Sequence, residues 1–415
     1  MSGFSLTPLA ERKSAGAQNT EQTGKPENMR LSVVSSAIVA ALVGIAGALA
    51  IVLEAARAVG ATPAETTSWV TALCLSMALT SGYLSWRHRV PVITAWSTPG
   101  AAVIAATTGI QMDAAVGAFL LAGALIVATA LIAPLDRAIR RIPVPVAAGM
   151  LAGVLVRFVL QMVEAVPVAP ALVLPLVALF LVARLFSPSA AMLLVIAAGT
   201  ALASGQGLIQ QWPSLTLSSF TIVAPSFEPE TLIGLGLPLF LVTMASQNLP
   251  GAAVIKASGY EPPFASALLT TGLASLLIAP LGAHTINLAA ITAAICTGPD
   301  AHPDPAQRWK TGIAYCFVYS GLAALGAALV GLFALFPAAL VKTIAGLGLL
   351  GSLTGALGSA LADEKQRFAA VVAFTVTASG VTLLGIGSAF WGLAAGLLIL
   401  LLDGSVARPS GMSGK

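Results

Sequence analysis

The stretch GAHTINLAAITAAICTG, residues 282–298, decides the fold, and an earlier stretch, STPGAAVIAATTG at residues 97–109, resembles it. Near the start of each lie Ser, Thr or Asn residues, which cap helix starts, and a small apolar segment ending in Thr-Gly follows. Ser97 or Thr98 is expected to cap the first helix, and Thr285 or Asn287 the second. The β-branched residues and the proline just before the first helix favour extended chain. Each stretch therefore predicts a short extended segment followed by a half-helix.

The composition places the chain in a membrane. Of its 415 residues, 57% are hydrophobic and 9% are charged, and the mean hydropathy is +0.94. No ordinary soluble domain has this composition, so we expect an all-α polytopic membrane protein in contact with lipid. The three cysteines show neither disulfide nor zinc spacing, and the basic residues lie in short loops. We therefore expect no metal, no cofactor and no nucleic-acid partner.

Apolar segments long enough to span a membrane recur along the chain between short polar loops. We count about 14 transmembrane spans, seven on each side of a polar interruption. The predicted organisation is a disordered cytoplasmic tail (1–30), a first seven-span repeat (31–203), an extracytoplasmic linker (204–228), a second seven-span repeat (229–405) and a cytoplasmic tail (406–415). The two half-helices then fall in spans 3 and 10.

The positions of the basic residues support this count. When both termini are cytoplasmic and the spans alternate, all 20 lysines and arginines fall on the cytoplasmic side except Arg57, Arg157 and Lys342. This bias follows the positive-inside rule, and it is lost when one span is left out. Because seven is an odd number, the second repeat must be inverted relative to the first. The positive ends of the two half-helices can then face one central site.

Polar residues inside membrane spans are costly and are often functional. His284 lies at the break before the second half-helix. It is a candidate proton-coupling residue, since the reference pKa of histidine, about 6.5, is close to physiological pH. The alternative is a packed histidine bonded to a free carbonyl group. Arg157, near the middle of the fifth span, is a candidate anion contact, and a purely structural role is its alternative.

A second polar cluster, TMASQNLPG at residues 243–251, ends the eighth span. Gln247 and Asn248 present amide donors and acceptors where an apolar helix would otherwise continue. Amides suit the recognition of a carboxylate or a polar heterocycle, because they bind it without adding charge. Hydrogen bonding between helices is the alternative role of this cluster.

Three motifs carry a family resemblance. TMASQNLPGAAVIKASGY, GAHTINLAAITAAICTGPDAHPDPAQRW and WSTPGAAVIAATTG resemble the benzoate/proton symporter family of bacterial inner membranes, and the resemblance extends from Leu31 to Asp403. That family is similar in architecture to uracil/proton symporters and sulfate-type anion transporters. The resemblance implies a core domain of spans 1–4 and 8–11, a gate domain of spans 5–7 and 12–14, and a homodimer. This chain lacks the carboxylates that bind substrate and proton in nucleobase symporters, a departure that suits an anionic substrate.

The sequence thus predicts a secondary active transporter, not an enzyme, that imports benzoate or a related aromatic carboxylate with protons by alternating access. It is expected in the bacterial inner membrane. A passive anion channel, or a transporter of another small anion or a nucleobase on the same scaffold, is the alternative. His284 is the predicted proton site. The predicted substrate-binding residues are Trp96, Ser97, Thr98, Gly100, Gln247, Asn248, Thr285 and Asn287.

Overall fold

The structure, a computed structural model, describes residues 26–132, 143–209, 216–384 and 386–406. The described chain is helical apart from two short strands and the connections between elements. The first helix begins at Pro26 and the last ends at Val406. The rest of the two predicted tails, residues 1–25 and 407–415, lies outside the described residues.

The elements are numbered here in chain order. They are α1 (Pro26–Ala58), α2 (Pro63–His88), β1 (Thr94–Trp96), α3 (Thr98–Ala105), α4 (Met112–Leu131), α5 (Val144–Glu164), α6 (Pro170–Phe186), α7 (Pro188–Gly205), α8 (Pro229–Ala257), α9 (Phe264–Ile278), β2 (Ile286–Leu288), α10 (Ile291–Thr297), α11 (Lys310–Ala324), α12 (Gly326–Ala334), α13 (Ala338–Leu361), α14 (Arg367–Ala378) and α15 (Ser388–Val406).

Several of the described helices are long and apolar enough to cross a membrane. By length and composition there are six among the described residues: α1, α4, α5, α8, α13, and α9 with its short extension to Leu281. The number is seven when the pair α11 and α12, bent by 60° at a short break, is taken as one span. The chain is therefore a multi-pass membrane protein, and fourteen spans in two inverted repeats stay a prediction.

The helices pack as two groups. In the first, which we call the core, α1 to α4 pack with α8 to α11, most extensively as the pairs α2 with α11, α4 with α9, and α1 with α3. In the second, the gate, α5 packs against α13 and α14, α6 packs against α7, and α14 packs against α15. Helix α1 contacts α7 and α13, so it lies along the boundary between the groups. This division follows the predicted one.

The two stretches that decide the fold meet in the core. Strands β1 and β2 pair antiparallel, with Thr94 opposite Leu288 and Trp96 opposite Ile286. The half-helix α3 follows β1 directly, and α10 follows β2. The two extended segments therefore lie beside each other inside the helical bundle. Each leads into a short helix, as predicted.

The two half-helices start differently. Ser97 caps α3 as predicted, because its side chain accepts a hydrogen bond from Gly100 N at 3.1 Å. The predicted cap of the second half-helix is wrong: α10 begins at Ile291, and its N-cap residue, Ala290, makes no side-chain bond. Thr285 and Asn287 instead lie immediately before and within β2. A side chain in the strand is too far along the chain to reach the first turn of this helix.

Helix α8 contains two π-helical turns, at Leu232–Gly236 and Met244–Asn248. Each extra residue in a π turn shifts the faces of the helix that follow it, and such turns are common at functional sites. The second turn carries both Gln247 and Asn248. It ends two residues before Pro250, whose ring is incompatible with a regular helical hydrogen bond. The polar cluster predicted from sequence is thus held on an irregular part of the helix.

Candidate functional site

A large cavity lies between the core and the gate. Its volume is about 620 Å³, within the range of about 300–1,000 Å³ typical of small-molecule sites. The core supplies the start of α3, the start of α10, Gln247 and two tyrosines, and the gate supplies residues of α6, α7 and α13. The lining residues include Gly44, Trp96, Thr98, Phe180, Arg184, Gln247, Thr292, Tyr315 and Tyr319.

The strand pair forms the rigid support of this site. A two-stranded ribbon leaves backbone groups at its outer edges, and inside a membrane these groups must be satisfied by the protein. Side chains of the surrounding helices do so: Ser81 Oγ accepts from Thr94 N (2.9 Å), Ser275 Oγ accepts from Ile286 N (2.9 Å), Asn248 Oδ1 accepts from Leu288 N (2.9 Å), and Tyr315 Oη donates to Thr94 O (3.3 Å). The ribbon is therefore anchored to α2, α9, α8 and α11.

Three hydroxyl groups join the half-helix start to its neighbours. Thr243 Oγ1 on α8 donates to Ser97 Oγ at 3.0 Å and is hydrogen-bonded to Thr285 Oγ1 at 2.9 Å. The backbone continues this link, since Ser97 N donates to Thr285 O at 3.0 Å. All three residues are fully buried. The cap of α3, the residue before β2 and the middle of α8 thus form one connected unit.

Gly100 permits this close approach. A Cβ atom at Gly100 would lie 2.6 Å from Leu239 Cδ1 and 2.7 Å from Ser97 Oγ. A larger residue would therefore push α8 away from α3 or displace the capping hydroxyl. Gly100 acts by its small size, and it does not line the cavity in this structure.

The neighbours Gln247 and Asn248 have different surroundings. Gln247 lines the cavity. Asn248 is fully buried, and its side chain is directed at β2 by the bond to Leu288 N, while its amide contacts Met244 Sδ at 3.4 Å. Asn287 is also fully buried: its Nδ2 donates to Leu288 O at 2.9 Å, and its Oδ1 has no partner among the described residues.

His284 is completely enclosed, and both of its ring nitrogens are engaged. Trp69 Nε1 donates to Nδ1 at 2.9 Å, so Nδ1 carries no proton. Nε2 then carries the proton and donates to Ser97 O at 3.0 Å. Phe119 packs edge-on against both the indole and the imidazole rings. This arrangement fits a neutral imidazole that ties the chain before β2 to α2 and to the start of α3.

An aromatic wall on α11 was missed by sequence reasoning. Tyr315 and Tyr319 line the cavity with ring centroids 4.5 Å apart, and Trp96 meets Tyr319 edge-on at 6.5 Å. A signal was present in the sequence: two tyrosines four residues apart in an apolar span share one helical face. Buried tyrosines need hydrogen-bond partners, which directs them toward the protein interior. Their hydroxyls reach Thr94 O and, at 3.4 Å, Ala41 O.

Two arginines lie at opposite ends of the core–gate boundary. Arg184, on α6, lines the large cavity. Arg157, on α5, lines a much smaller crevice that also contains Thr107, at the far end of α3, and Ser388 of the gate. Its guanidinium packs against Gly380, where an added Cβ would come within 3.0 Å of Nη1. The structure therefore separates the predicted anion contact Arg157 from the other predicted residues.

The predicted substrate-binding residues fall into two sets. Trp96, Thr98 and Gln247 line the cavity. The others are buried behind it and hold the ribbon and the half-helix start: Ser97, Gly100, Asn248, Thr285 and Asn287. At the second half-helix, the cavity is lined by the start of α10, including Thr292. Among the described residues no group of three or more histidine, cysteine or acidic side chains is arranged to hold a metal ion.

Comparison with protein families gives a match over most of the chain. The family model described as "Benzoate membrane transport protein" matches residues 27–402. The chain is 34% identical over 374 residues to the benzoate membrane transport protein of Acinetobacter baylyi, which covers 90% of this chain and 95% of that protein. It is 41% identical over 359 residues to the inner membrane protein YdcO of Escherichia coli, covering 86% of this chain and 92% of that one.

Solved structures show the same fold. The transmembrane domain of a cyanobacterial bicarbonate transporter, BicA, superposes with a TM-score of 0.58 at 16% identity, over 91% of this chain and 97% of that one. SLC26A9 superposes with a TM-score of 0.67 at 12% identity, over 92% of this chain and 66% of that one. A murine SLC26A9 anion transporter in the inward-facing state gives a TM-score of 0.62 at 12% identity, over 92% of this chain and 69% of that one.

Proposed function

As this chain belongs to the benzoate membrane transport protein family, we propose that it imports benzoate or a related aromatic carboxylate together with protons. The family and the relative from Acinetobacter baylyi are named as membrane transport proteins, so this chain is a membrane transport protein and not an enzyme. In our proposal it is a secondary active transporter of the bacterial inner membrane. It works by alternating access, with both termini in the cytoplasm.

The cavity between core and gate carries the proposal. An aromatic carboxylate has a flat apolar ring and one charged, planar end. The cavity offers a wall of Trp96, Tyr315 and Tyr319 for the ring, and Thr98, Gln247 and an arginine for the polar end. None of the described residues that line it carries a carboxylate, so a bound anion meets no like charge from them. Apolar lining with a few polar groups is the usual composition of a site for a small organic ligand.

In this proposal the carboxylate lies near the start of α3. The helix dipole and free backbone N–H groups favour an anion at this end. Ser97 satisfies one of these donors by capping Gly100 N, and Thr98 extends from the first turn into the cavity wall. Gln247 can donate its amide to the same oxygen atoms. The residues behind the cavity, such as Asn248 and Thr285, act by holding the ribbon in place.

The two ends of the core–gate boundary differ, which supports alternating access. The large cavity contains Arg184 and Thr354, which the charge pattern puts toward the cytoplasm. At the opposite end, the crevice at Arg157 has room for little more than a single water molecule. We therefore assign this conformation as inward-facing. Rotation of the core against the gate would close the first space and open the second.

His284 is the proposed proton site, and its hydrogen bonds define what protonation requires. Both nitrogens must be donors in the charged form, so the bond from Trp69 Nε1 to Nδ1 has to break. Protonation is thus coupled to a movement between α2 and the chain before β2. Such a link would let the proton change the position of the half-helix start through Ser97 O.

The function is tested by uptake of labelled benzoate into proteoliposomes. With an inward proton gradient, benzoate should accumulate above its electrochemical equilibrium, and an ionophore should abolish the accumulation. Uptake that stops at equilibrium and ignores the gradient would identify a passive anion channel. If a different small anion or a nucleobase accumulates and benzoate does not, the protein is a transporter but the proposed substrate is wrong.

The proton site is tested in the same vesicles. His284→Ala should abolish accumulation driven by the gradient and leave exchange of benzoate across the membrane intact. Trp69→Phe serves as the matched variant, because it removes the bond to Nδ1 while the aromatic packing is largely kept. When His284→Ala couples normally, the proton moves on another group or with the substrate, and this assignment is wrong.

Homodimer formation is part of the proposal by family resemblance. The gate helices bear large exposed apolar side chains, such as Leu185 at 77% and Phe186 at 84% exposure, as a lipid-facing or subunit-facing surface requires. Mass measurement of the protein in detergent micelles tests this point. A monomer at all concentrations, in detergents that preserve binding of benzoate, would contradict it.

A further inference from the structure

Among the described residues that line the large cavity, Arg184 is the one with a charged side chain. The other lining residues that the structure describes are apolar or neutral polar. In the described part of the chain, Arg184 forms no ion pair and no hydrogen bond. The residue is exposed, and its guanidinium carries five N–H donors for a ligand.

The faces of α6 indicate that Arg184 faces the cavity and not the lipid. Phe180 is one helical turn earlier, on the same face, and it lines the same cavity. Leu185 and Phe186, on other faces of this turn, are the strongly exposed residues. An arginine that only anchored the helix end at the membrane surface would have no reason to share the face of Phe180.

Arg184 also differs from the other polar groups of the site by its position. Thr98 and Gln247 are carried by the core, whereas Arg184 is carried by the gate. An anion that contacts both sets therefore bridges the two moving groups. A planar guanidinium can bind the two oxygens of a carboxylate through two parallel hydrogen bonds, which a neutral amide does less strongly.

We propose that Arg184 is the anion-binding residue of the gate at the inner mouth of the cavity, and that it binds the carboxylate of an aromatic acid. This inference rests on the proposed function, of which it specifies the charge recognition. In the inward-facing conformation Arg184 raises the affinity for the anion and links the ligand to α6. Release to the cytoplasm then requires this contact to break.

Arg157 gives the comparison within the same chain. It also lies on the gate and also makes no ion pair in the described residues, but it lines the closed crevice at the other end of the boundary. Its substitution should therefore leave binding to the inward-facing form unchanged. Arg87 gives a second control, because it is exposed at the same predicted side and does not line the cavity.

Binding of benzoate to the full-length purified protein, followed by tryptophan fluorescence at low and high salt, tests the proposal. Trp96 lines the cavity and reports on its occupancy. We expect Arg184→Gln to raise the Kd for benzoate about tenfold and to weaken its salt dependence, as loss of a charge at a binding surface does. Arg184→Lys should raise the Kd by about two- to threefold, because charge is kept and the bidentate geometry is lost. Arg157→Gln and Arg87→Gln should bind as the wild type.

Chemical restoration of the charge separates recognition from folding. Cys74 and Cys296 are buried, and Cys316 is partly exposed, so Arg184→Cys is made together with Cys316→Ala. A cationic methanethiosulfonate reagent should lower the Kd of this variant at least threefold, and a neutral reagent of the same size should not. Equal effects of the two reagents would overturn the proposal.

The outcomes distinguish this inference from the proposed function. When the wild type binds benzoate and Arg184→Gln binds it within twofold, Arg184 is not the anion-binding residue and the function stands. A wild-type protein that binds sulfate or bicarbonate in place of benzoate shows the substrate to be wrong, and the same variants then test Arg184 with that anion. A wild-type protein that binds none of the three contradicts both.

Discussion

The adjacent residues Gln247 and Asn248 are predicted to fail in different ways when each is replaced by leucine. Asn248→Leu is close in size to the native residue but removes the acceptor of Leu288 N, a fully buried bond of 2.9 Å. The orphaned N–H costs about 1–3 kcal/mol, because Leu288 is buried at the edge of β2. Gln247 lines the cavity, so Gln247→Leu leaves no buried backbone group without a partner.

The expected magnitudes follow from these contacts. At about 2 °C for each kcal/mol in a large domain, Asn248→Leu should lower the thermal transition in detergent by about 2–6 °C. Gln247→Leu should shift the transition by less than about 1 °C, the usual effect of a substitution that leaves packing intact. It should raise the Kd for benzoate by about ten- to a hundredfold, because a hydrogen bond to a charged group contributes about 1.5–3 kcal/mol.

The assay is thermal unfolding and benzoate binding on the same preparations of wild type, Asn248→Leu and Gln247→Leu. Saturating benzoate should raise the transition of the wild type and of Asn248→Leu by similar amounts, since the cavity is retained. The reasoning is refuted if Gln247→Leu is the destabilised variant, or if Asn248→Leu has native stability and loses binding. The first result would mean that Gln247 supports the fold, and the second that Asn248 contacts the ligand.

Two further substitutions test packing around the site. Gly44→Ala puts a Cβ atom 2.8 Å from Tyr319 Oη, which should push the tyrosine into the cavity. In uptake assays the half-saturating concentration of benzoate should rise several-fold. For larger or para-substituted acids this concentration should rise further. Native kinetics in Gly44→Ala would show that the aromatic wall does not contact the ring. Gly149→Ala puts a Cβ atom 2.2 Å from Ala370 O, a backbone atom between α5 and α14; we expect a loss of about 1–3 kcal/mol in thermal unfolding. Gly355→Ala, with open space around it, should be neutral or slightly stabilising, and an equal loss there would contradict the packing argument.

Local sequence signals were sufficient for the positions of the helix breaks. The serine at Ser97 and the proline after it indicate a helix start, and the structure has the cap at that residue. Gly282 follows a short 3₁₀ turn with φ of +87°, a conformation that favours glycine, so the break before β2 was also readable. These features depend on the chemistry of a few neighbouring residues, so the local sequence is sufficient to predict them.

The same signals did not predict the hydrogen-bond partner of a side chain for which two partners are possible. Thr285 and Asn287 have the chemistry of a helix cap, yet Thr285 bonds Thr243 on α8 and Asn287 bonds Leu288 O. A hydroxyl or amide group can form a hydrogen bond with a strand, a helix end or a ligand equally well. Which partner it has depends on the segments that pack beside it. Ser275, which bonds Ile286 N, has no distinguishing sequence context at all.

The sequence by itself determined the environment, the family and the two interrupted stretches that bear the site. Composition decides whether the chain enters a membrane, and caps, prolines and glycines decide where its helices stop. Only the tertiary structure decided which polar residues line the cavity and which satisfy the ribbon behind it. The two tyrosines of α11, the arginine of α6 and the start of α3 come from distant parts of the chain and from both packing groups. Their meeting depends on long-range helix packing, whose geometry no local pattern contains.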